Sequence, residues 1–339
     1  MRREVALAPL TTLGVGGAAK QFATFASVAE LQALLATDEP ILVLGGGSNV
    51  VIGDAGFDGL VIQPANRGVT RIGLFDDFAI VSAFAGVVWD DFVAQMVGEG
   101  LAGLECLSGI PGLVGATPMQ NVGAYGQEVA DTIGFVRAWD RERGELVKLE
   151  AADCRFGYRS SRFKGDARWV IDEVRFRLPR RTASLPIHYA ELAKALGIAP
   201  GGTAPLHHVR ETVLALRRGK GMVVDPADPD SRSAGSFFTN PIASAELAAA
   251  VEARAGARPP QWGQPDGRVK LAAAWLIERA GFAKGFTRGR VGISHKHALA
   301  LVNRGGATAS ELLAFADDII AGVESRLGVT LVPEPIIVR

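Results

Sequence analysis

The sequence is poor in cysteine. Cys106 and Cys154 are its only two, too few and too far apart for a disulfide framework or a metal motif. A reducing compartment suits such a chain. It also lacks a surplus of either charge, since 36 Lys and Arg balance 36 Asp and Glu. That removes the basic footprint of a nucleic-acid binder, although a local anion site needs only a few placed cations. No uninterrupted apolar run is long enough to span a bilayer. The opening Met1-Arg2-Arg3-Glu4-Val5-Ala6-Leu7-Ala8-Pro9 is a poor signal peptide, because no long apolar stretch follows its arginines. Internal repeats and low-complexity linkers are missing too. The expectation is a soluble, cytoplasmic protein with no nucleic-acid or membrane partner. Nothing demands an obligate dimer, so a monomer or weak oligomer is expected. At 339 residues the chain exceeds one ordinary core and predicts two or three domains.

Glycine is abundant, at 41 residues, and it is clustered. Clusters mark places where the backbone takes positive φ or approaches a ligand closely. Around them, hydrophobic patterning predicts a helix over Val28 to Leu35 and strands over Ile41 to Leu44, Val50 to Ile52, Leu60 to Ile62 and Phe78 to Phe84. A helix follows from about Trp89 to Glu99. The first ~65 residues thus read as a small α+β unit. Further strands are predicted at Ile133 to Trp139, Leu146 to Leu149 and Trp169 to Leu178. In the last, Val174, Phe176 and Leu178 alternate with Arg175 and Arg177, which implies one wet face. Helices are predicted over Leu206 to Arg218, Ala243 to Ala255, Lys270 to Ala280 and Ser310 to Leu327, a strand over Ala298 to Val302, and a loop around His188-Tyr189.

Two glycine loops stand out. Gly45-Gly46-Gly47-Ser48-Asn49 follows a strand. It is either a backbone cradle for a diphosphate or a tight turn between strands. It is not the dinucleotide fingerprint, because a β-branched run follows it instead of a helix. The second loop, Gly109-Ile110-Pro111-Gly112-Leu113-Val114-Gly115-Ala116-Thr117-Pro118, lies within a weakly periodic stretch from Cys106 to Gln127. A segment that long without structure is usually functional. A dinucleotide has two ends to hold, so the pair of loops favours one over either loop alone.

Short motifs run along the chain: Thr11-Thr12-Leu13-Gly14-Val15-Gly16-Gly17, Leu44 to Asn49, Ile110 to Gly115, and Gln120-Asn121-Val122-Gly123-Ala124-Tyr125-Gly126. They continue through Phe156-Gly157-Tyr158-Arg159, Arg217-Arg218-Gly219-Lys220, Ser233-Ala234-Gly235-Ser236-Phe237-Phe238-Thr239-Asn240-Pro241, Ala274 to Glu278 and Pro333-Glu334. Each piece is weak alone; their order and spacing are specific. In them the chain resembles the FAD-dependent UDP-N-acetylenolpyruvoylglucosamine reductases over nearly its whole length. The resemblance implies an α+β fold with two FAD-binding subdomains of the vanillyl-alcohol-oxidase type, 1–66 and 67–182. A tyrosine loop with its connecting helix (183–218), a substrate domain (219–330) and a catalytic tail (331–339) would follow. Ser48-Asn49 stands where some related oxidases carry a flavin-linking histidine, so non-covalent FAD is expected.

The implied reaction passes a hydride from NADPH to FAD, and then to the terminal carbon of the enolpyruvyl group of UDP-N-acetylglucosamine enolpyruvate. Charge gathers on the neighbouring carbon and its carboxylate, which calls for cationic donors and an acid. The resemblance assigns the carboxylate to Arg159, whose fork of N–H donors matches a planar anion. It assigns the proton to Ser236 and a supporting carboxyl, with a raised pKa, to Glu334. Cofactor contacts fall to Gly45, Gly46, Gly47, Ser48, Asn49, Ile110, Pro111, Gly112, Gly115 and Ala116, together with Gln120, Asn121, Gly123, Tyr125 and Gly126. Lys220, Asn240 and Tyr189 fall to the sugar nucleotide, Tyr189 by likeness to the family's long-loop branch. Taken singly, Arg159 reads as a surface ion pair, Ser236 as a turn serine, Glu334 as a solvated terminal residue, Lys220 as a helix-end lysine and Tyr189 as core. The tail departs from the family at Val332, usually acidic, and Pro335, usually aliphatic. His295 and His297 have no companion carboxylate or cysteine in sequence, so no metal is expected. Two rivals remain at this stage: another flavin oxidoreductase acting on an alcohol or hydroxy acid, which needs a base instead of a carbon acid, and a non-catalytic nucleotide-binding module.

Overall fold

A computed structural model describes residues 1–339. By packing, the chain forms two units, one of residues 1–5, 19–46 and 58–219 and the other of 6–18, 47–57 and 220–339. The division does not run in sequence order: two early segments pack with the C-terminal third.

The first unit is built on two sheets. One has the strand order Arg2–Ala6, Ala18–Phe25, Phe57–Pro64, Ile41–Val43, and its last pair is parallel. The helix Val28–Leu35 lies against it through Leu31, Leu34 and Leu35. The Ser27 side chain caps that helix at the Glu30 amide, satisfying one of its open donors. The other sheet is antiparallel throughout, in the order Glu145–Glu150, Ile133–Asp140, Trp169–Pro179, Phe78–Phe84, Val69–Leu74. The helix Trp89–Gly98 buries Trp89, Phe92, Val93 and Met96 with Val174, Phe176 and Leu178 of this sheet.

The expected wet face of Trp169–Pro179 is only half right. Arg177 is exposed, but every residue from Trp169 to Val174 is buried. Val170 packs with Phe25, Leu31 and Ile62, whereas Ile171 and Val174 enter the other core. A strand sandwiched between two cores loses its polar side. A third cluster joins Cys106 and Ile187 to Leu192, Val209 and Val213. Those last three sit on the helices Ala190–Leu196 and Leu206–Gly219, the former lying where sequence patterning gave only a loop.

The second unit gathers around the helix Ala309–Leu327. Leu312, Phe315, Ala316, Ile319, Val323 and Leu327 form its buried stripe, at the three- and four-residue spacing of one helical face. Thr308 and Glu311 make a reciprocal capping box, and Gly328 closes the other end in the left-handed conformation. What reads in sequence as one helix from Lys270 divides in two. Val269–Leu271 pairs as a strand with Ile242–Ala243 and Gln261–Gly263, and the helix proper is Ala273–Arg279. Val50–Ile52 pairs in parallel with Ile336–Val338.

Asp54 adds a second cap to the long helix. Its carboxylate accepts from the Ala309 amide at 2.7 Å and the Ser310 amide at 2.9 Å, where a helix terminus favours negative charge. Partial burial would raise its pKa, but the hydrogen bonds from Ser310 and Ala309 outweigh that and hold it below the ordinary carboxylate value. A depressed folded pKa stabilises above the unfolded value of about 4 and is lost as pH falls through the folded one. Asp54→Asn is therefore expected to cost roughly 1 kcal/mol near neutrality, less at high salt, and progressively less as pH falls through the folded pKa. Thermal melts of the two proteins across that range check it.

Candidate active site

Ser236, Glu334 and Asn49 come together within the second unit. The Glu334 amide donates to the Phe237 carbonyl at 2.8 Å, and Phe238 bridges Pro333. The C-terminal tail thus runs antiparallel to the segment carrying Ser236. On its other side the Asn49 side-chain amide donates to the Glu334 carbonyl at 3.4 Å, and the Ile336 amide donates to the Asn49 carbonyl at 3.0 Å. Main-chain pairing therefore sets two of the three expected catalytic residues beside the end of the first glycine turn. Gly235, with φ +73°, turns the chain immediately before Ser236, a conformation that favours glycine.

The motif Thr11-Thr12 is what holds that turn. The Thr12 amide donates to the Gly47 carbonyl at 3.1 Å and its hydroxyl to the Ser233 carbonyl at 2.6 Å. A side chain on Gly47 would strike the carbonyl of Leu10. Asn240 is engaged locally: its Oδ1 accepts from the Ala273 amide at 2.9 Å, at the start of a helix. Ser48 and Lys220 are half-buried.

Arg159 belongs to the first unit. It sits in a tight reversal in which Gly157 and Ser160 exchange main-chain hydrogen bonds at 3.0 and 3.1 Å. Its φ is +52°, the left-handed region that a non-glycine residue enters at a cost. The guanidinium donates to the Gly123 carbonyl at 2.8 Å and lies by the Tyr158 ring. The Ser161 hydroxyl donates to the Met119 carbonyl at 2.6 Å. These ties stitch the reversal to the loop carrying Gln120, Asn121, Gly123, Tyr125 and Gly126. Only five non-glycine residues have positive φ, and Asn121, Tyr125 and Arg159 are three of them. Such strain concentrates where a site dictates the backbone.

The two glycine loops meet within this unit. A Cβ on Gly46 would lie 2.7 Å from the Gly112 Cα, and one on Gly115 would lie 2.5 Å from the Ala85 Cβ. Backbone faces backbone, and Gly45, Gly46, Gly112 and Ala116 stay partly accessible, as do Ile110 and Pro111. The result is a surface of main chain with little side-chain bulk, which suits the diphosphate of a dinucleotide. The second loop rests on Ala85–Val87, since the Val114 and Gly115 amides donate to the carbonyls of Val87 and Ala85 at 2.9 and 3.0 Å.

Sequence reasoning missed Asp90. Its carboxylate accepts from the Gly109 amide at 2.6 Å and from both terminal nitrogens of Arg210 at 2.6 and 2.9 Å. Burial pushes its pKa up, but the Arg210 hydrogen bond, the Gly109 amide and the Arg210 charge together bring it below the ordinary value. An acid in the first turn of a helix looks like an ordinary dipole partner, so no signal in the sequence singles it out. Tyr125 and Tyr189 meet edge to face at 5.3 Å. Burial pushes the Tyr125 phenol up to about 12, against the pull of Arg217. Burial, helped by Glu191, raises that of Tyr189. Both remain neutral donors at neutral pH. Burial likewise raises the thiols of Cys106 and Cys154, which leaves neither as a reactive thiolate. His295 faces Asp230 at 3.5 Å and Arg304 at 3.2 Å, and no group of His, Cys, Asp and Glu has metal-binding geometry. No helix is long and apolar enough to cross a membrane.

Comparison with known proteins adds the chemistry. Residues 19–150 match the FAD binding domain, and 226–338 match the C-terminal domain of UDP-N-acetylenolpyruvoylglucosamine reductase. The chain is 53% identical to the UDP-N-acetylenolpyruvoylglucosamine reductase of Thermobifida fusca, over 99% of this chain and 97% of that one. It is 52% identical to that of Streptomyces coelicolor, over 98% and 88%. The crystal structure of the Thermus caldophilus reductase superposes with a TM-score of 0.70 at 26% identity, covering 99% of this chain and 98% of that one.

Proposed function

The chain belongs to the UDP-N-acetylenolpyruvoylglucosamine reductases, FAD-dependent oxidoreductases of peptidoglycan precursor synthesis, and on that premise we propose how its residues divide the work. The substrate is UDP-N-acetylglucosamine enolpyruvate, the product UDP-N-acetylmuramate, and NADPH the reductant. Residues of 1–66 and 67–182 would hold FAD non-covalently, and it would supply the hydride that the terminal enolpyruvyl carbon receives. The two glycine loops hold the diphosphate through main-chain N–H groups. Once hydride adds, the electron pair of the double bond moves to the adjacent carbon and into the carboxylate. Arg159 binds that carboxylate and stabilises the growing charge. Ser236 gives its hydroxyl proton to the adjacent carbon; a hydroxyl is a weak acid, and the strongly basic enolate makes the transfer favourable. Glu334 stands by as a hydrogen-bond donor to the same charge. Lys220, Asn240 and Tyr189 receive the sugar nucleotide.

The observation that supports this most is the main-chain pairing of Glu334 with Phe237. It fixes a carboxyl and a hydroxyl on adjacent segments, an arrangement that a bare nucleotide-binding module does not need. Anaerobic reoxidation of the NADPH-reduced protein by the enolpyruvyl sugar nucleotide tests it. No reoxidation, or reoxidation only by an alcohol's carbonyl product, would refute the assignment. Glu334→Ala keeps the backbone bonds and is expected to slow reoxidation by about 100-fold, the scale of one lost charge-stabilising donor. Unchanged turnover would remove Glu334 from the site.

A further inference from the structure

The Asn121 side chain lies in the interior. It is 1% exposed, and its polar atoms are engaged by its own unit. Its Oδ1 accepts from the Ala130 amide at 3.1 Å. Its Nδ2 donates to the Glu128 carboxylate at 2.6 Å and to the Gly157 carbonyl at 3.2 Å. The amide can face only one way: the Ala130 N–H requires an acceptor, and the carboxylate and carbonyl require donors. Gly157 opens the reversal in which Arg159 is held at φ +52°. A left-handed arginine on a two-residue turn persists only when its surroundings over-determine it.

We propose that Asn121 is a positioning residue for Arg159. Glu128 orients its amide, the amide grips the Gly157 carbonyl, and that grip sets the direction from which the guanidinium meets the substrate carboxylate. This rests on the proposed role of Arg159 and replaces a cofactor contact by the Asn121 side chain with a task inside the protein.

Two variants of the holoenzyme test it. Asn121→Gly removes the amide where φ is +48°, a conformation glycine adopts freely, so the loop keeps its path. FAD affinity and bleaching by NADPH should stay as in the wild type, while Tm falls modestly for the three buried hydrogen bonds lost. Reoxidation by the enolpyruvyl sugar nucleotide should slow, and substrate affinity of the oxidised enzyme fall, by roughly 100-fold taken together. Asn121→Asp is isosteric but sets a carboxylate oxygen against Glu128 and the Gly157 carbonyl. Its reoxidation should be as slow at pH 8 and recover in part as pH falls. Two adjacent carboxyls then share a proton, which relieves their repulsion and returns one donor. The wild type has no such acid-side recovery. Weakened FAD binding with normal substrate dependence would make Asn121 a cofactor residue and overturn the proposal. So would a Tm loss accompanied by a uniform decline in every function, or no effect at all. A wild-type holoenzyme that the sugar nucleotide fails to reoxidise would overturn the functional reading, and this inference with it.

Discussion

Ser236→Ala leaves a protein that is yellow, folded and bleached by NADPH at the wild-type rate, yet barely reoxidised by the enolpyruvyl sugar nucleotide. The first half follows from structure. Ser236 is only half-buried, and the flanking order comes from main chain: Phe237 donates to Leu299 at 2.7 Å and accepts from Glu334 at 2.8 Å. Removing one hydroxyl disturbs neither bond. The second half follows from chemistry. A carbon acid site without its proton donor must wait for water, and loss of a positioned acid costs roughly 10²- to 10⁴-fold. Stopped-flow absorbance separates the halves. Full turnover by the variant would end the role of Ser236, and slowed bleaching by NADPH would mean the serine serves the first half as well.

Arg159→Gly is expected to split activity from stability. Glycine at a φ of +52° relieves strain of about 1 kcal/mol. The variant gives up the guanidinium bond to the Gly123 carbonyl and the contact with the Tyr158 ring, each worth about the same. Tm should therefore fall only a little. Turnover should drop by roughly 10²- to 10³-fold, because no other fork of charged donors replaces it at the carboxylate. Arg159→Lys keeps the charge without the fork and belongs between the two. A variant both inactive and unfolded would show that the arginine serves the fold first.

The elements read best from sequence are those whose buried face is plain in their own hydrophobic spacing. Val28–Leu35 and Phe78–Phe84 have the bounds that their hydrophobic spacing predicts. Val69–Leu74 went unread because it is an edge strand with Ile72 and Leu74 half in water, so no alternation announces it. Val269–Leu271 sits in an apolar run with helical content, and only its partners Ile242–Ala243 and Gln261–Gly263 draw it into a sheet. The site divides in the same way. Motif order pointed to Arg159, Ser236 and Glu334, because a chemistry needs those residue types. Asp90, Thr12 and Glu128 work through hydrogen bonds to partners elsewhere in the chain, and no residue type or spacing advertises that. Asn121 was legible as part of a motif, but its task was not. Nothing in the letters distinguishes a buried amide from one turned to a ligand.

The parallel pairing of Val50–Ile52 with Ile336–Val338 also has a consequence for synthesis. A ribosome that has made the glycine turn still has most of the polypeptide to translate before the strand that completes it exists. At roughly 5–20 residues per second, the nascent turn waits for many seconds with one edge unpaired.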